Sequence, residues 1–451
     1  SILATFKPDF SQIEADEDQL NISDYPLELD EKRPFFLEGN ELYETPTDIY
    51  YSRRMTRPEY GAKFFGSAGF LKYGMTLVNN DGLYEDNGGS LLRNNEYFLI
   101  PRIKYVKSSS FSLGYLGGFV DSQYGQSGQL HSTDLLWRAT NYIDVIGIFA
   151  KTSINGKSDF NEQYGFNVEY DTDAWEAEIG MQKISNNFAL GLIGFPDPNN
   201  YAQLRGRLQR LFRFENSTFQ ELRFEAVLSN KGTYDFSAPT TNYSASIRVR
   251  QHLDYFGGIS YGFGVNGVNG YFRNYDISAP SALYDNYGQF EAVDENGSAF
   301  NFFFDSDFSK AFGYFIRFEQ QRYKQTDIIN IQNNIQIKPI DDILIRFEIN
   351  LRDIGPSQYL EEGTIWRINY KMNYSLLPNV FIRIFSQFNS QRDRLSNNLI
   401  INYEYVRGSF IYFAYNEVGT LDDSFNQGSF INNYNLDRRT FSLKWTYSFY
   451  L

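Results

Sequence analysis

From Phe441 to Leu451 the chain alternates without a break. Phe441, Leu443, Trp445, Tyr447, Phe449 and Leu451 share one face, and Ser442, Lys444, Thr446, Ser448 and Tyr450 share the other. Successive side chains of a strand point to opposite faces, so this segment has one aromatic, greasy side and one polar side. The same pattern recurs along most of the chain, with Arg, Gln, Asn and Glu opposite the large aromatics. A wall that is apolar outside and polar inside is the pattern of a transmembrane β-barrel.

Composition supports the same reading. Aromatic residues make up 18% of the chain, with 42 Phe and 35 Tyr, yet the mean hydropathy is -0.45. No apolar run approaches the roughly 20 residues that a membrane helix needs. A bilayer admits only helices or closed barrels, because it offers the backbone no water to bond. The expected fold is therefore all-β: a transmembrane antiparallel β-barrel of about 22 strands, range roughly 18 to 24, with an N-terminal plug or loop segment.

The absence of cysteine suits an oxidising compartment but is a weak constraint. A chain starting at Ser1 reads as a processed or partial product. The net charge of -14 argues against nucleic acid as a partner. The partners expected instead are outer-membrane lipid or lipopolysaccharide, with other outer-membrane proteins or lipoproteins as further candidates.

Short turns at 108–110, 171–173, 376–379 and 407–408 alternate with longer polar stretches read as loops at 79–94, 186–200, 230–241, 267–297, 353–363 and 417–437. Outer-membrane barrels place short turns on the periplasmic side and long loops outside. Alternation alone picks out about 21 segments, an odd number, which does not fit a bacterial barrel with both ends in the periplasm. The stub Ile2 to Phe6 supplies the missing strand.

Residues 1–59 differ from the rest, and the chain divides into 1–59, a strand stub plus an acidic plug or loop, and 60–451, the barrel. The first part carries 14 Asp plus Glu against 6 Lys plus Arg, a net of -8. It also holds the apolar run Pro34-Phe35-Phe36-Leu37 and lacks sustained alternation. Three of its stretches are Lys7-Pro8-Asp9-Phe10-Ser11-Gln12-Ile13-Glu14-Ala15-Asp16, Glu31-Lys32-Arg33-Pro34-Phe35-Phe36-Leu37-Glu38-Gly39 and Tyr51-Ser52-Arg53-Arg54. In this order they resemble the signature blocks of a Bacteroidota outer-membrane family in which a family-9 carbohydrate-binding-like domain precedes a long β-rich domain of unknown function. Lys7 stands where that family usually has Asn, and Met55-Thr56 where Ile-Gly is usual. The resemblance implies an outer-membrane location in a Gram-negative bacterium and a barrel fold. It carries no sugar site over to this chain, because the carbohydrate-binding-like domain is absent from it.

On the polar faces stand Arg205, Arg207, Glu221, Arg223, Glu225, Arg248, Arg250, His252, Arg317, Glu319, Arg346, Glu348, Arg352, Arg367, Lys371 and Arg383. Two readings of them stand side by side. They zip into cross-strand ion pairs that stiffen the wall, or they give the lumen a basic excess that attracts anions or an acidic plug. The second reading expects Glu14, Asp16, Glu31, Arg33 and Glu38 of the N-terminal segment to meet lumen residues Arg205, Arg207, Arg223, Arg248, Arg250, Arg346 and Arg367.

Other chemistry finds little support. The two histidines are His131 and His252, and His131 is followed by Ser132, whose side chain must take the opposite face of a strand. No catalytic dyad results, and no enzyme is expected. Asn79-Asn80-Asp81-Gly82 with Glu85-Asp86-Asn87, and Asp294-Glu295-Asn296-Gly297, offer oxygen ligands beside a Gly, but neither has the spacing of a full calcium loop. Turn chemistry accounts for such clusters equally well, and no metal or cofactor is assigned. Tyr142, Trp175, Trp366, Tyr370, Tyr374, Trp445 and Trp137 read as interface-girdle aromatics. The function expected is a gated or plugged transport or translocation barrel, acting alone or in a larger envelope complex. A non-conducting anchor or scaffold for a carbohydrate-binding-like domain and partner proteins is the alternative, and a barrel hydrolase the third.

Overall fold

The computed structural model describes residues 1–6, 29–85, 91–155, 161–195, 200–215, 217–235, 240–253, 257–273, 291–323, 326–356, 362–421 and 434–447. Its elements are almost entirely strands. In order they are β1 (Ile2–Phe6), β2 (Pro58–Ala68), β3 (Leu71–Glu85), β4 (Leu91–Ser108), β5 (Phe111–Ser122), β6 (Gly128–Arg138), β7 (Ile143–Ile154), β8 (Asn161–Asp171), β9 (Trp175–Ile184), β10 (Tyr201–Arg213) and β11 (Phe219–Gly232). The series continues with β12 (Thr240–Leu253), β13 (Gly257–Arg273), β14 (Glu291–Asp305), β15 (Phe312–Tyr323), β16 (Thr326–Ile340), β17 (Ile343–Ile354), β18 (Gly363–Leu377), β19 (Val380–Asn389), β20 (Arg394–Val406), β21 (Ser409–Leu421) and β22 (Tyr434–Trp445). One short helix, α1 (Pro34–Leu37), precedes β2.

Each strand pairs antiparallel with the next in sequence, as in β1 with β2, β10 with β11 and β21 with β22. Among the described residues the ladder runs from β1 to β22, and those two terminal strands do not pair with each other. The fold is a 22-stranded antiparallel transmembrane β-barrel of meander topology. The stub at Ile2–Phe6 is a strand, in register with Tyr60 to Phe64.

Alternation decides which side chains meet lipid. In β4, Tyr97, Leu99, Ile103 and Tyr105 are exposed on the outer face, while Glu96, Phe98, Ile100 and Arg102 are buried on the inner one. In β22, Phe441, Leu443 and Trp445 are exposed, Leu443 to 77%. The girdle aromatics Trp137, Tyr142, Trp175, Trp366 and Trp445 are likewise exposed, all at or near strand ends. Arg210 stacks 4.6 Å over the Trp175 ring and 4.8 Å over Phe212, which lets a charged side chain lie along an aromatic rim.

Parts of several stretches read as loops are strand instead, among them 91–94, 230–232, 267–273 and 417–421. Residues 79–85 continue β3, with Asn79 opposite Tyr97 and Asp81 opposite Asn95, and Asp294 to Gly297 lie within β14. The oxygen clusters there are strand residues rather than turns. The reason is physical: the hydrophobic band is only about 25 Å tall, whereas an 18-residue strand such as β4 is far longer. Beyond the band both faces meet water, so alternation fades while the backbone ladder continues.

A charge on the outer face should be costly and one on the inner face tolerated. Leu208→Arg, on exposed mid-strand β10, should cost about 2–4 kcal/mol, and Ser442→Arg on the inner face of β22 well under half of that. Urea midpoints of the heat-modifiable folded band in detergent measure both, and equal losses would show that the facing is inverted.

Candidate functional site

The inner face divides into two unlike regions, and residues 29–57 create the division. They pack against the inner side of β2 to β8. Phe36, Leu42, Tyr43, Ile49 and Met55 of this segment join Val78, Phe98, Ile100, Leu116, Val120, Leu130 and Ile148 of the wall in one buried cluster. Phe188, Leu190, Leu192 and Ile193, from the connection between β9 and β10, complete it.

Local geometry explains why this sequence makes that insert. Pro34 starts α1, where its fixed φ and missing N–H cost nothing. Gly39, at φ 69°, turns the chain from α1 into the next helical turn, a conformation that only Gly adopts freely. Across the gap, a Cβ on Gly74 of β3 would lie 2.6 Å from Leu42 Cδ2. The wall is thinned there to admit the segment.

Two stretches quoted above for their resemblance form one hydrogen-bonded unit. Arg33 donates to the Glu31 carboxylate (2.6 and 2.8 Å), to Ser52 O (2.9 Å) and to Met55 O (2.5 Å), and its guanidinium stacks 4.2 Å over Phe36. Ser52 Oγ donates to Glu31 at 2.6 Å, and Arg53 Nε to Asp30 O at 2.7 Å. Burial alone would raise the Glu31 carboxyl. The Arg33 hydrogen bonds and charge, together with Ser52 Oγ, outweigh burial and hold it below the ordinary value of 4.5. Burial pushes the Tyr43 and Tyr50 phenols up.

The segment is tied to the wall by buried charges that the sequence reading did not single out. Arg54 grips Glu96 of β4 through two bonds, 2.8 and 3.1 Å, and donates to Gly191 O at 2.9 Å. Arg102 of β4 is 0% exposed. It pairs with Asp134 of β6 and donates to the Leu42 (2.8 Å) and Glu44 (3.2 Å) carbonyls. Lys63 of β2 donates to Phe36 O (3.1 Å) and Glu38 O (2.6 Å), at the C-terminal end of α1. Guanidinium and ammonium groups thus satisfy carbonyls that an irregular segment would otherwise bury unbonded.

The residues expected to carry the contact fall elsewhere. Glu14 and Asp16 lie outside the described residues. Glu31 pairs with Arg33 of its own segment, while the Glu38 backbone carbonyl, rather than its carboxylate, meets Lys63. Arg205 pairs with Glu178 (3.8 Å), Arg207 with Glu176 (3.2 Å) and Glu225 (3.0 Å), and Arg223 with Glu221 (3.0 Å). The Arg205 and Arg207 pairs join neighbouring strands, and Arg223–Glu221 lies within β11. Arg248 stacks 4.6 Å over Phe303, and Arg248 and Arg250 both act on Asp305.

On β15 to β19 the pattern changes. Arg352 Nε donates to Asn330 (2.5 Å), Arg346 Nε to Gln336 (2.9 Å) and Arg383 Nε to Asn373 (3.2 Å), so these guanidiniums meet amides. Arg367 lies 3.6 Å from Glu348. Arg317 forms no hydrogen bond or ion pair among the described residues, and the buried Nη1 of Arg352 has no partner. Arg317, Glu319, Asn330, Glu348, Arg352 and Arg367 line a polar recess of about 410 Å³. His131 and Ser132 take opposite faces, Ser132 buried inward and His131 bonded to the Tyr115 hydroxyl on the lipid side at 2.8 Å.

Comparison with known proteins gives a partial family match and a likeness of fold. Residues 2–64 match the family model of a domain of unknown function, DUF5916. The match spans the segment with its Arg33 and Arg54 contacts. No curated protein matches the sequence. Among solved structures, the siderophore receptor PirA from Pseudomonas aeruginosa is similar with a TM-score of 0.51 at 9% identity, over 84% of this chain and 74% of that one. The FrpB iron transporter from Neisseria meningitidis gives 0.48 at 9% identity, over 79% and 75%. At such identities the likeness is one of barrel fold.

Two outcomes test the anchoring. Asp134→Ala strands the buried Arg102 guanidinium and should cost about 3–5 kcal/mol, whereas Arg93→Ala, on a largely exposed pair, should leave the midpoint nearly unchanged; denaturant midpoints compare them. Because the folded Glu31 carboxyl is depressed, its stabilisation is complete above the ordinary value of 4.5 and is lost as pH falls through the depressed one. Amide exchange of residues 29–57 should therefore speed up on acidification below about pH 4.5, and Glu31→Gln should flatten that dependence.

Proposed function

We propose that this chain is an outer-membrane transport barrel of a Gram-negative bacterium. In this reading residues 29–57 form a fixed plug over the β2 to β8 side, and small anionic solutes pass along the β15 to β19 side. The observation that carries the reading is the contrast between the two inner regions. Under the segment, Arg33, Arg54 and Arg102 each have a carboxylate partner and a dry apolar surround. On the other side, Arg317, Arg346 and Arg352 meet amides or no described partner. A wall built only for rigidity would place a carboxylate opposite each guanidinium. Cations bonded to neutral amides keep a positive potential that draws anions.

The division 1–59 and 60–451 is carried forward in this proposal, with β1 and residues 29–57 as the described parts of the first unit. The comparison structures named above are a siderophore receptor and an iron transporter by their titles, which favours transport over enzymatic work. The Bacteroidota family resemblance would place a carbohydrate-binding-like domain beside this barrel, in keeping with a role inside a larger envelope complex. The scaffold alternative draws on the sealed, ion-paired region under the segment.

Planar-bilayer recording separates the readings. The wild-type barrel should conduct with an anion preference, read as the reversal potential in a KCl gradient. Replacing Arg317, Arg346 and Arg352 together by Gln should remove that preference, and deleting residues 29–44 should raise the conductance. Near-zero conductance in all three proteins, each folded by heat-modifiability, would overturn transport in favour of the scaffold.

A further inference from the structure

The lipid-facing wall carries a groove of about 700 Å³ that runs across β2 to β6 on the side of the long connections. Tyr60, Leu77, Tyr97, Leu99 and Phe119 form its apolar walls, and Asp121, Gln129 and Asn155 border it. One lining residue does not belong on a surface bathed in hydrocarbon. Asn79 sits between Tyr60 and Tyr97 in the strand register and is 3% exposed. Its Oδ1 has no hydrogen-bond partner among the described residues.

A buried acceptor with nothing to accept is destabilising, and more so where lipid replaces water. Leu or Val at this position would avoid that cost, as they do elsewhere on the outer face. Gln129 adds a second polar group. His131 Nδ1 lies 2.8 Å from the Tyr115 hydroxyl and its Nε2 faces Gln129 Oε1 at 3.4 Å, which turns the Gln129 oxygen toward His131 and leaves its amide N–H groups to serve the groove.

We infer that this groove binds an outer-leaflet lipid whose acyl chain is joined through an amide or carries a hydroxyl near its root. The chain would lie along Leu77, Leu99 and Phe119. The amide N–H or hydroxyl would donate to Asn79 Oδ1, and its oxygen would accept from Gln129. An ester-linked chain accepts hydrogen bonds but has none to donate, so it leaves Asn79 unsatisfied. This selectivity is independent of whether the lumen conducts.

Native mass spectrometry of the full chain in mild detergent tests the site with two lipids that share a phosphocholine headgroup. Sphingomyelin offers an amide N–H and a hydroxyl, and dipalmitoyl phosphatidylcholine offers only esters. Sphingomyelin should be retained about tenfold better, as one satisfied hydrogen bond of ordinary strength allows. Asn79→Leu should erase the difference while leaving the folded barrel at least as stable, since it removes an unsatisfied acceptor. Phe119→Ala should weaken retention of both lipids. Equal retention by the wild type, or a preference that survives in Asn79→Leu with folding intact, would overturn the proposal.

Discussion

Every backbone amide that crosses hydrocarbon must find its partner in the protein, and the rest of this structure follows from that demand. It excludes isolated strands and irregular backbone from the lipid zone, so the chain passes from strand to neighbouring strand through 22 of them. The same demand explains the irregular segment inside. Residues 29–57 lack a ladder, and their carbonyls are bonded one at a time by Arg33, Lys63 and Arg102. Charged side chains do for the insert what strand pairing does for the wall.

Much of the fold was legible because its period is imposed by the solvent. Wherever one face meets lipid and the other water, alternation must appear, and the stub at Ile2–Phe6 followed from parity. Legibility stopped where the solvent contrast stops. In residues 81–85 and 294–297 the alternation of apolar and polar residues has faded, so their strands look like loops. The insert's site was hidden for the opposite reason. Inner residues Phe98, Ile100, Leu116, Val120 and Leu130 are apolar although they face inward, which is the mark of strands covered on both faces. Read that way, the charged residues among them, Glu96, Arg102 and Asp134, would have stood out as contacts to a covering segment. Bulk charge complementarity between an acidic segment and lumen arginines pointed instead to Arg205, Arg207 and Arg223, whose carboxylate partners lie on their own or neighbouring strands.

The partition of charge also bears on what the resembling blocks do. Glu31, Arg33 and Ser52 are close in space because each completes another's hydrogen bonding, and Arg54 does the same for Glu96 of the wall, so a change at one leaves a buried group stranded. Phe36 lies under the Arg33 guanidinium, and Gly39 permits the turn that follows. These are requirements of building an insert, and none of them requires a reacting substrate.

Fixed anchoring limits how such a barrel can open. Ejecting residues 29–57 would separate Arg54 from Glu96 and tear the Arg102–Asp134 pair from the segment's carbonyls. Separating a buried pair costs about 3–5 kcal/mol. It would also bare Phe36, Leu42, Tyr43, Ile49 and Met55, at about 1.5–3 kcal/mol for each large apolar side chain. The sum exceeds the few kcal/mol that separate the states of a spontaneous conformational switch. Under the proposed transport reading, opening without outside work would leave the segment in place and use the opposite wall, where Arg346 and Arg352 are hydrogen-bonded to amides rather than to carboxylates. Rigidity on one side and amide-bonded cations on the other are then two parts of a single arrangement, in which the inner face is divided between an anchored region and a polar recess.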